Sequence, residues 1–276
     1  GPEREIAPES TDGWHYHFEL GGFALGQKVR YRIVTRRGES LAFTFEPLRE
    51  RQAAQPRAIL EEKGCLHAVF DGFSVTFSQE DGALCMEAHT RPVRGMPREA
   101  AEWPLGEHFC LSLEKQAPFC QLKRLSKPVL SIDRYVLRET AEGVVASLRL
   151  EGRLPARYVW GTGERFDRVN QRRGGSNGRV VEKFTRQGEQ TYLPMPFFMT
   201  ETGLGWHCEG DIPAELNFAD GLSVTRQTRG ETLCRDRLFF GAPAQLLRRF
   251  IERTGEPVLP PEWAFGLWIS ANGWNC

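Results

Sequence analysis

Phe73-Ser74-Val75-Thr76-Phe77-Ser78, followed by Asp81-Gly82 and then by Leu84-Cys85-Met86, is the stretch of sequence that decides the fold. Three apolar side chains interleave with three small polar ones, the period-2 pattern of a strand buried on one face and wet on the other. Asp-Gly closes such a run into a hairpin, because a tight turn matched to the twist of its strands needs positive φ at its centre, which Gly adopts without strain. The pattern recurs outward along the chain. Val29, Tyr31 and Ile33 alternate with Lys28, Arg30 and Arg32 to give another half-buried strand. Further strands are expected at 144–150, 158–160, 196–200, 205–209 and 222–226. The 28 glycines and 17 prolines break these runs at short intervals. Many short strands with few helices imply a mainly β chain folded as an antiparallel β-sandwich.

Two segments depart from alternation. Residues 47–64 are polar, carry Pro56 in the middle, and read as an excursion or a short exposed helix. Residues 243–254 have a helical period: Leu246, Leu247, Phe250 and Ile251 fall on one face, and Arg248, Arg249 and Glu252 on the other. Pro243 suits the first turn, Gly255 the C-terminal cap and Pro257 the stop beyond it. After Pro260-Pro261 comes a compact apolar run, 263–269, which reads as a strand buried on both faces, as in parallel sheets. Trp263 and Trp268 are expected to pack in a core. The change of style divides the chain into a sandwich over 1–240, a linking helix and Pro-rich connector over 241–260, and the first strand of a new domain over 261–276.

At 276 residues, with 40% hydrophobic and 26% charged residues, the chain can bury a sizeable core. The 36 basic residues equal the 36 acidic ones, so nothing in the total charge calls for nucleic acid, and Arg172-Arg173 is loop charge rather than a basic tract. No run of 18 apolar residues suggests a membrane span, and residues 1–10 lack the apolar centre of a signal peptide. Seven dispersed cysteines without a Cys-x-x-Cys pair are simplest as reduced thiols, which implies a cytoplasmic location. His15-Tyr16-His17 has no third ligand at metal-like spacing, so no metal site is assigned. Gly161-x-Gly163 opens like a dinucleotide-binding turn, but Phe166 stands where a third Gly is needed.

Three motifs carry a resemblance. Tyr158-Val159-Trp160-Gly161-Thr162-Gly163-Glu164-Arg165-Phe166 is one; the run 182–192 followed by Pro194-Met195-Pro196-Phe197-Phe198 is the second; Leu259-Pro260-Pro261-Glu262-Trp263 through Trp268 is the third. In this order and spacing, over residues 155–276, they resemble glycoside hydrolase family 31, the α-glucosidases and α-xylosidases. The resemblance implies a mutarotase-like β-sandwich beside a (β/α)8 barrel whose start lies at the C-terminal end of this chain. It implies retaining, exo-acting hydrolysis of α-glucosides or α-xylosides by two aspartates about 5–5.5 Å apart. Those aspartates belong to later barrel strands, so no catalytic residue is assigned here, and Asp167, Asp211 and Asp220 read as turn residues.

The resemblance implies no metal or organic cofactor, α-linked oligosaccharides or glycosides as partners of the intact enzyme, and leaves room for a homo-oligomer. The long Gly- and Arg-rich loop 166–192 is either a rim of the sugar subsite or simply solvated. On the first reading Arg186, Gln187 and Gln190 offer planar donors and acceptors to sugar hydroxyls. Relatives often carry Asp at the place of Gln187, which leaves sugar preference open. Asn272 and Trp274, just past the first barrel strand, would stand at the active-site face, the indole covering a sugar's C–H surface. Glu164-Arg165 reads as a structural ion pair or turn stabiliser. The alternative to an α-glycosidase fragment is a stand-alone carbohydrate-binding or interaction module. A sugar mutarotase is a third reading, drawing on His89, His108 or His207.

Overall fold

The computed structural model describes residues 6–8, 10, 11, 16, 17, 22–181, 187, 188 and 190–266. At its centre is the expected hairpin. Ser74–Glu80 and Ala83–His89 pair antiparallel from Ser74↔His89 to Glu80↔Ala83, turning on Asp81 at φ 50° and Gly82 at φ 72°. Positive φ at both central residues is the turn that keeps strand twist continuous.

The hairpin lies within a nine-stranded antiparallel sheet, ordered Met96–Arg98, Ala58–Glu62, Cys65–Val69, Ser74–Glu80, Ala83–His89, Thr232–Phe240, Leu204–Glu209, Pro194–Thr200 and Val159–Gly163. The second sheet runs Ala100–Leu105, Phe109–Glu114, Cys120–Arg124, Lys127–Glu139, Val145–Arg153, Leu222–Gln227, Ala214–Asn217 and Gly175–Asn177, with Arg49–Ala53 paired to the far half of Lys127–Glu139. Their inner faces form one core. Ile59, Val75, Phe77, Leu84 and Met86 from the first sheet meet Leu111, Leu113, Leu122, Leu130 and Ile132 from the second, all essentially inaccessible. Two sheets packed face to face in this way make a β-sandwich.

A charged link crosses that core. Arg226 of the second sheet pairs with Asp236 of the first, the Arg226 Nη1 donates to the Arg235 carbonyl at 3.0 Å, and Trp206 Nε1 donates to Asp236 Oδ1 at 2.7 Å. Burial lowers the Arg226 pKa, and the Asp236 carboxylate more than reverses that, so the guanidinium stays charged.

The helix forms at Pro243–Thr254, on the outer face of the first sheet. Leu246 and Phe250 are buried against Ala83, Phe197 and Phe239, and Phe250 stacks on Phe197 with ring centres 4.2 Å apart. Leu247, expected on the same face, is 44% exposed. Gln245 Oε1 accepts the Ala242 N–H at 2.8 Å at the helix start, and Arg249 donates to the Gly82 carbonyl at 3.0 Å, tying the helix to the hairpin turn.

Three expectations are corrected. Val29–Tyr31 pairs with Phe43–Phe45 in a separate two-stranded sheet, and Tyr31 and the following Ile33 are exposed, because among the described residues no second layer covers that alternating run. The segment 47–64 is neither excursion nor helix but holds two sandwich strands, Arg49–Ala53 and Ala58–Glu62. The first is polar because its partners are ionic: Arg51 donates to Glu139 at 2.6 and 3.0 Å, and Arg49 at 2.9 Å. These two guanidinium groups hold the Glu139 carboxyl below its ordinary pKa despite its burial. Finally, Glu262–Phe265 is a 3-10 turn, not the opening of a strand, and Trp263 and Phe265 are 72% and 68% exposed rather than in a core. Pro261 fixes the extended entry to this turn, and among the described residues no strand pairs with it. Residues 267–276, including Trp268, lie outside the described residues.

Candidate functional site

The candidate site is built at the edge where Val159–Gly163 ends the first sheet and Gly175–Asn177 ends the second. An edge strand leaves a row of backbone donors and acceptors open, and something must close it. Here the loop that follows does so. Asn170 Oδ1 accepts from Val159 N at 2.9 Å and from Arg172 N at 3.1 Å, its Nδ2 donates to the Arg157 carbonyl at 3.1 Å, and Gln171 N donates to the Val159 carbonyl at 2.8 Å. Glu201 accepts from Arg157 N and Tyr158 N at 2.6 and 3.0 Å.

Arg165 then joins the two sheets. Its guanidinium donates to the Thr162 carbonyl at 2.7 and 3.1 Å and to Ser176 Oγ at 2.5 Å, so one side chain spans both edge strands. This is the turn-stabilising role expected of Glu164-Arg165. The backbone allows it because Thr162 (φ 68°) and Gly163 (φ 95°) take left-handed conformations. A Cβ on Gly163 would come within 2.1 Å of the Leu193 carbonyl oxygen. The chain returns at Thr191, whose hydroxyl donates to the Glu164 carbonyl at 2.5 Å and whose carbonyl accepts Val181 N at 2.9 Å.

Gln187 is buried, and its carbonyl accepts the Gln190 N–H at 3.0 Å in a local turn; Gln190 is half-buried. These two therefore share one turn, as their spacing implies. Arg186, Asn272 and Trp274 lie outside the described residues, as does His15. Arg172, read as loop charge, donates to the carbonyls of Ala156 at 3.1 Å and Gly221 at 3.3 Å. Asp167 accepts from Arg168 at 2.7 Å, and Asp211 and Asp220 are exposed turn residues.

Around this edge the surface is aromatic. Tyr158 and Trp160 stack nearly parallel, 5.8 Å between centres, Phe166 lies 5.7 Å from Tyr192, and Tyr158, Phe166, Tyr192, Leu193 and Met195 are all more than 40% exposed. Flat apolar faces beside amides and guanidinium groups are suited to holding sugars or another protein surface. The loop's first half is thus stitched to the sandwich rather than simply solvated. Asn170 is the anchor that the sequence did not single out. Its backbone partners before the loop, Val159 and Arg157, lie 11 and 13 residues away, and the nearest signal is an Asn followed by Gln-Arg after a strand.

No family model matches the chain. It is 29% identical over 120 residues to the alpha-xylosidase XylQ of Lactiplantibacillus pentosus, covering 41% of this chain and 15% of that protein. It is 34% identical over 122 residues to the 1,3-alpha-isomaltosidase of Kribbella flavida, covering 42% of this chain and 17% of that one. Among solved structures, the cycloalternan-forming enzyme of Listeria monocytogenes in complex with a pentasaccharide substrate matches 98% of this chain and 29% of its own length, with TM-score 0.72 at 20% identity. The GH31 dextranase of Flavobacterium johnsoniae matches 78% of this chain and 30% of its own, with TM-score 0.59 at 14% identity. At such identities the structural likeness is one of fold. The chain spans less than a fifth of the curated relatives' length.

Proposed function

This chain is a β-sandwich region related to glycoside hydrolase family 31, and from that premise we propose that it is the N-terminal part of a retaining, exo-acting α-glycosidase acting on α-glucosides or α-xylosides. Its mutarotase-like sandwich shapes the entrance to a (β/α)8 barrel, and the chemistry belongs to carboxylates that this chain does not carry. The observation that supports the reading most directly is the stitched loop. Asn170, Arg165 and Thr191 tie the two ends of the 166–192 loop to the sandwich, which supports a role for Arg186, Gln187 and Gln190 in holding a terminal sugar. Order in the binding groups lowers the entropy lost when substrate is held.

The roles divide by chemistry. Planar amides and a guanidinium accept and donate to adjacent hydroxyls, and the roles proposed for Asn272 and Trp274 are a further hydrogen-bonding amide and an indole that covers the sugar's C–H face. Hydrolysis itself requires a nucleophilic carboxylate and an acid/base partner about 5–5.5 Å apart. Asp167 is engaged by its neighbour Arg168, and Asp211 and Asp220 stand on exposed turns, so these three keep turn roles. The reading places the chain in the cytoplasm, in line with the free thiols of Cys65, Cys85, Cys110, Cys120, Cys208 and Cys234.

The test is to express the product of the whole gene and follow the anomeric proton by NMR during cleavage of nitrophenyl α-xyloside and α-glucoside. Release of the α-anomer first is expected. Release of the β-anomer, or a whole-gene product with no glycosidase activity, would overturn the reading.

A further inference from the structure

The opposite edge of the sandwich is built differently. Met96–Arg98 ends the first sheet and Ala100–Leu105 ends the second, and only Glu99 separates them. The chain crosses from sheet to sheet in one residue, and the wedge between the diverging strands is a cavity of about 300 Å³, lined by Glu61, Cys65, Arg98, Glu102 and Trp103 among others. That volume is at the lower end for small-ligand pockets and admits one or two sugar rings.

Its chemistry narrows the ligand. Arg98 Nε and Nη2 both bond Glu61 Oε2, at 2.8 and 2.7 Å, and Lys123 Nζ lies 4.0 Å from Glu102. Each acid of the cleft is thus matched by a base. An anion finds no surplus positive charge there, and a cation no surplus negative charge, so neither phosphate nor an ammonium group has an electrostatic reason to enter. The Glu61 side chain is 40% exposed and its carboxylate can accept from further hydroxyl donors, whereas Glu102 alternates with Trp103 along its strand and turns to the opposite face. Trp103 is half-buried, packed on the core cluster while lining the cleft, which fixes its ring as a wall. A carboxylate and guanidinium held to each other beside a flat apolar wall, with no net charge, fit a neutral polyhydroxyl ligand.

We infer that the Trp103 cleft is a second saccharide-binding subsite, at the far edge of the sandwich from the 158–192 loop. It rests on the proposed function only for the choice of probe, and it requires no hydrolysis. Such a subsite would hold another part of an α-linked oligosaccharide, or a neighbouring chain of a polymer, while the enzyme acts elsewhere.

The experiment is a titration of the 276-residue chain with isomaltotriose, read by calorimetry and by saturation-transfer NMR. Saturable binding is expected. Trp103→Ala, with its fold checked by circular dichroism, should weaken it by about tenfold or more, and Glu61→Gln, at a position where the side chain is 40% exposed, by about threefold to tenfold. Glu252→Gln, on the outer side of the helix, serves as control and leaves it unchanged. Absence of binding up to about 50 mM isomaltotriose, or binding that Glu61→Gln leaves intact, would overturn the inference. Because the readout is affinity and not turnover, failure here is separable from failure of the glycosidase reading.

Discussion

The two edges of this sandwich solve one problem in opposite ways. At the 159–163 edge the strand's open backbone groups are met by the Asn170 amide and the Gln171 N–H, and Arg165 clamps the two sheets together. At the 96–98 edge the chain steps directly from sheet to sheet and leaves a wedge open, held by ion pairs on the surface. The first edge draws its order from directional, partly buried hydrogen bonds to backbone groups. The second draws little from its exposed charges, which are worth at most about 1 kcal/mol each. A closed edge is therefore fragile to single substitutions, and an open one tolerant.

The largest expected effect comes from the link shared by both edges. Asp236→Ala strands the buried Arg226 guanidinium and the Trp206 N–H, and should cost about 3–5 kcal/mol by urea denaturation. A loss under about 1 kcal/mol would mean that the sheets are not coupled through this pair. Next is the closed edge. Gly163→Ala forces a left-handed alanine and a collision with the Leu193 carbonyl, with an expected loss of about 3 kcal/mol. Asn170→Ala, which leaves the Val159 and Arg157 backbone groups without that partner, should cost about 1–3 kcal/mol. At the open edge Arg98→Ala should change stability by less than about 1 kcal/mol. Equal losses at Asn170 and Arg98 would erase the distinction between the edges.

The smallest effect is a dependence on pH, on the open side of the first sheet. The Thr76 hydroxyl lies 2.9 Å from His67 Nδ1 and 2.7 Å from His89 Nε2. Burial pushes both histidines below their ordinary 6.5, aided for His67 by the competing charge that His89 would carry if protonated and for His89 by the Arg91 guanidinium, with Glu62, Glu87 and Glu231 opposing. The folded rings stay neutral where the unfolded ones begin to take up protons. Their contribution is thus complete above about pH 6.5 and is lost as the pH falls. The melting temperature should drop between about pH 7 and 5.5, and His89→Gln should shrink that drop. An undiminished drop would assign it to other groups.

How much of this the sequence carried depends on what stabilises each element. The Ser74–His89 hairpin and the Pro243–Thr254 helix were legible because each writes its burial into local periodicity and punctuates itself with Gly or Pro. Arg49–Ala53 was not, because its stability comes from Glu139, some 90 residues on, and its own residues show no apolar pattern. The 3-10 turn at Glu262–Phe265 misled in the other direction, since an apolar run alone does not separate a strand from an exposed turn. At the candidate site the loop's length and composition were visible, while its anchors were not. Asn170 and Arg165 act on backbone groups that only the folded edge brings within reach. The Trp103 cleft was hidden for the same reason, because it arises from the crossing between sheets and not from any motif.

The central claim is that this sandwich holds and positions sugar while the bond-breaking carboxylates lie elsewhere. Its most direct measurement is the rate at which the purified 276-residue chain releases nitrophenol from nitrophenyl α-xyloside and α-glucoside, with and without substitution of Asp167, Asp211 and Asp220 by Asn. The expected result is no turnover above background for any of these proteins. Turnover by the parent chain that disappears in one of the Asn variants would place a catalytic acid inside the sandwich and contradict the claim.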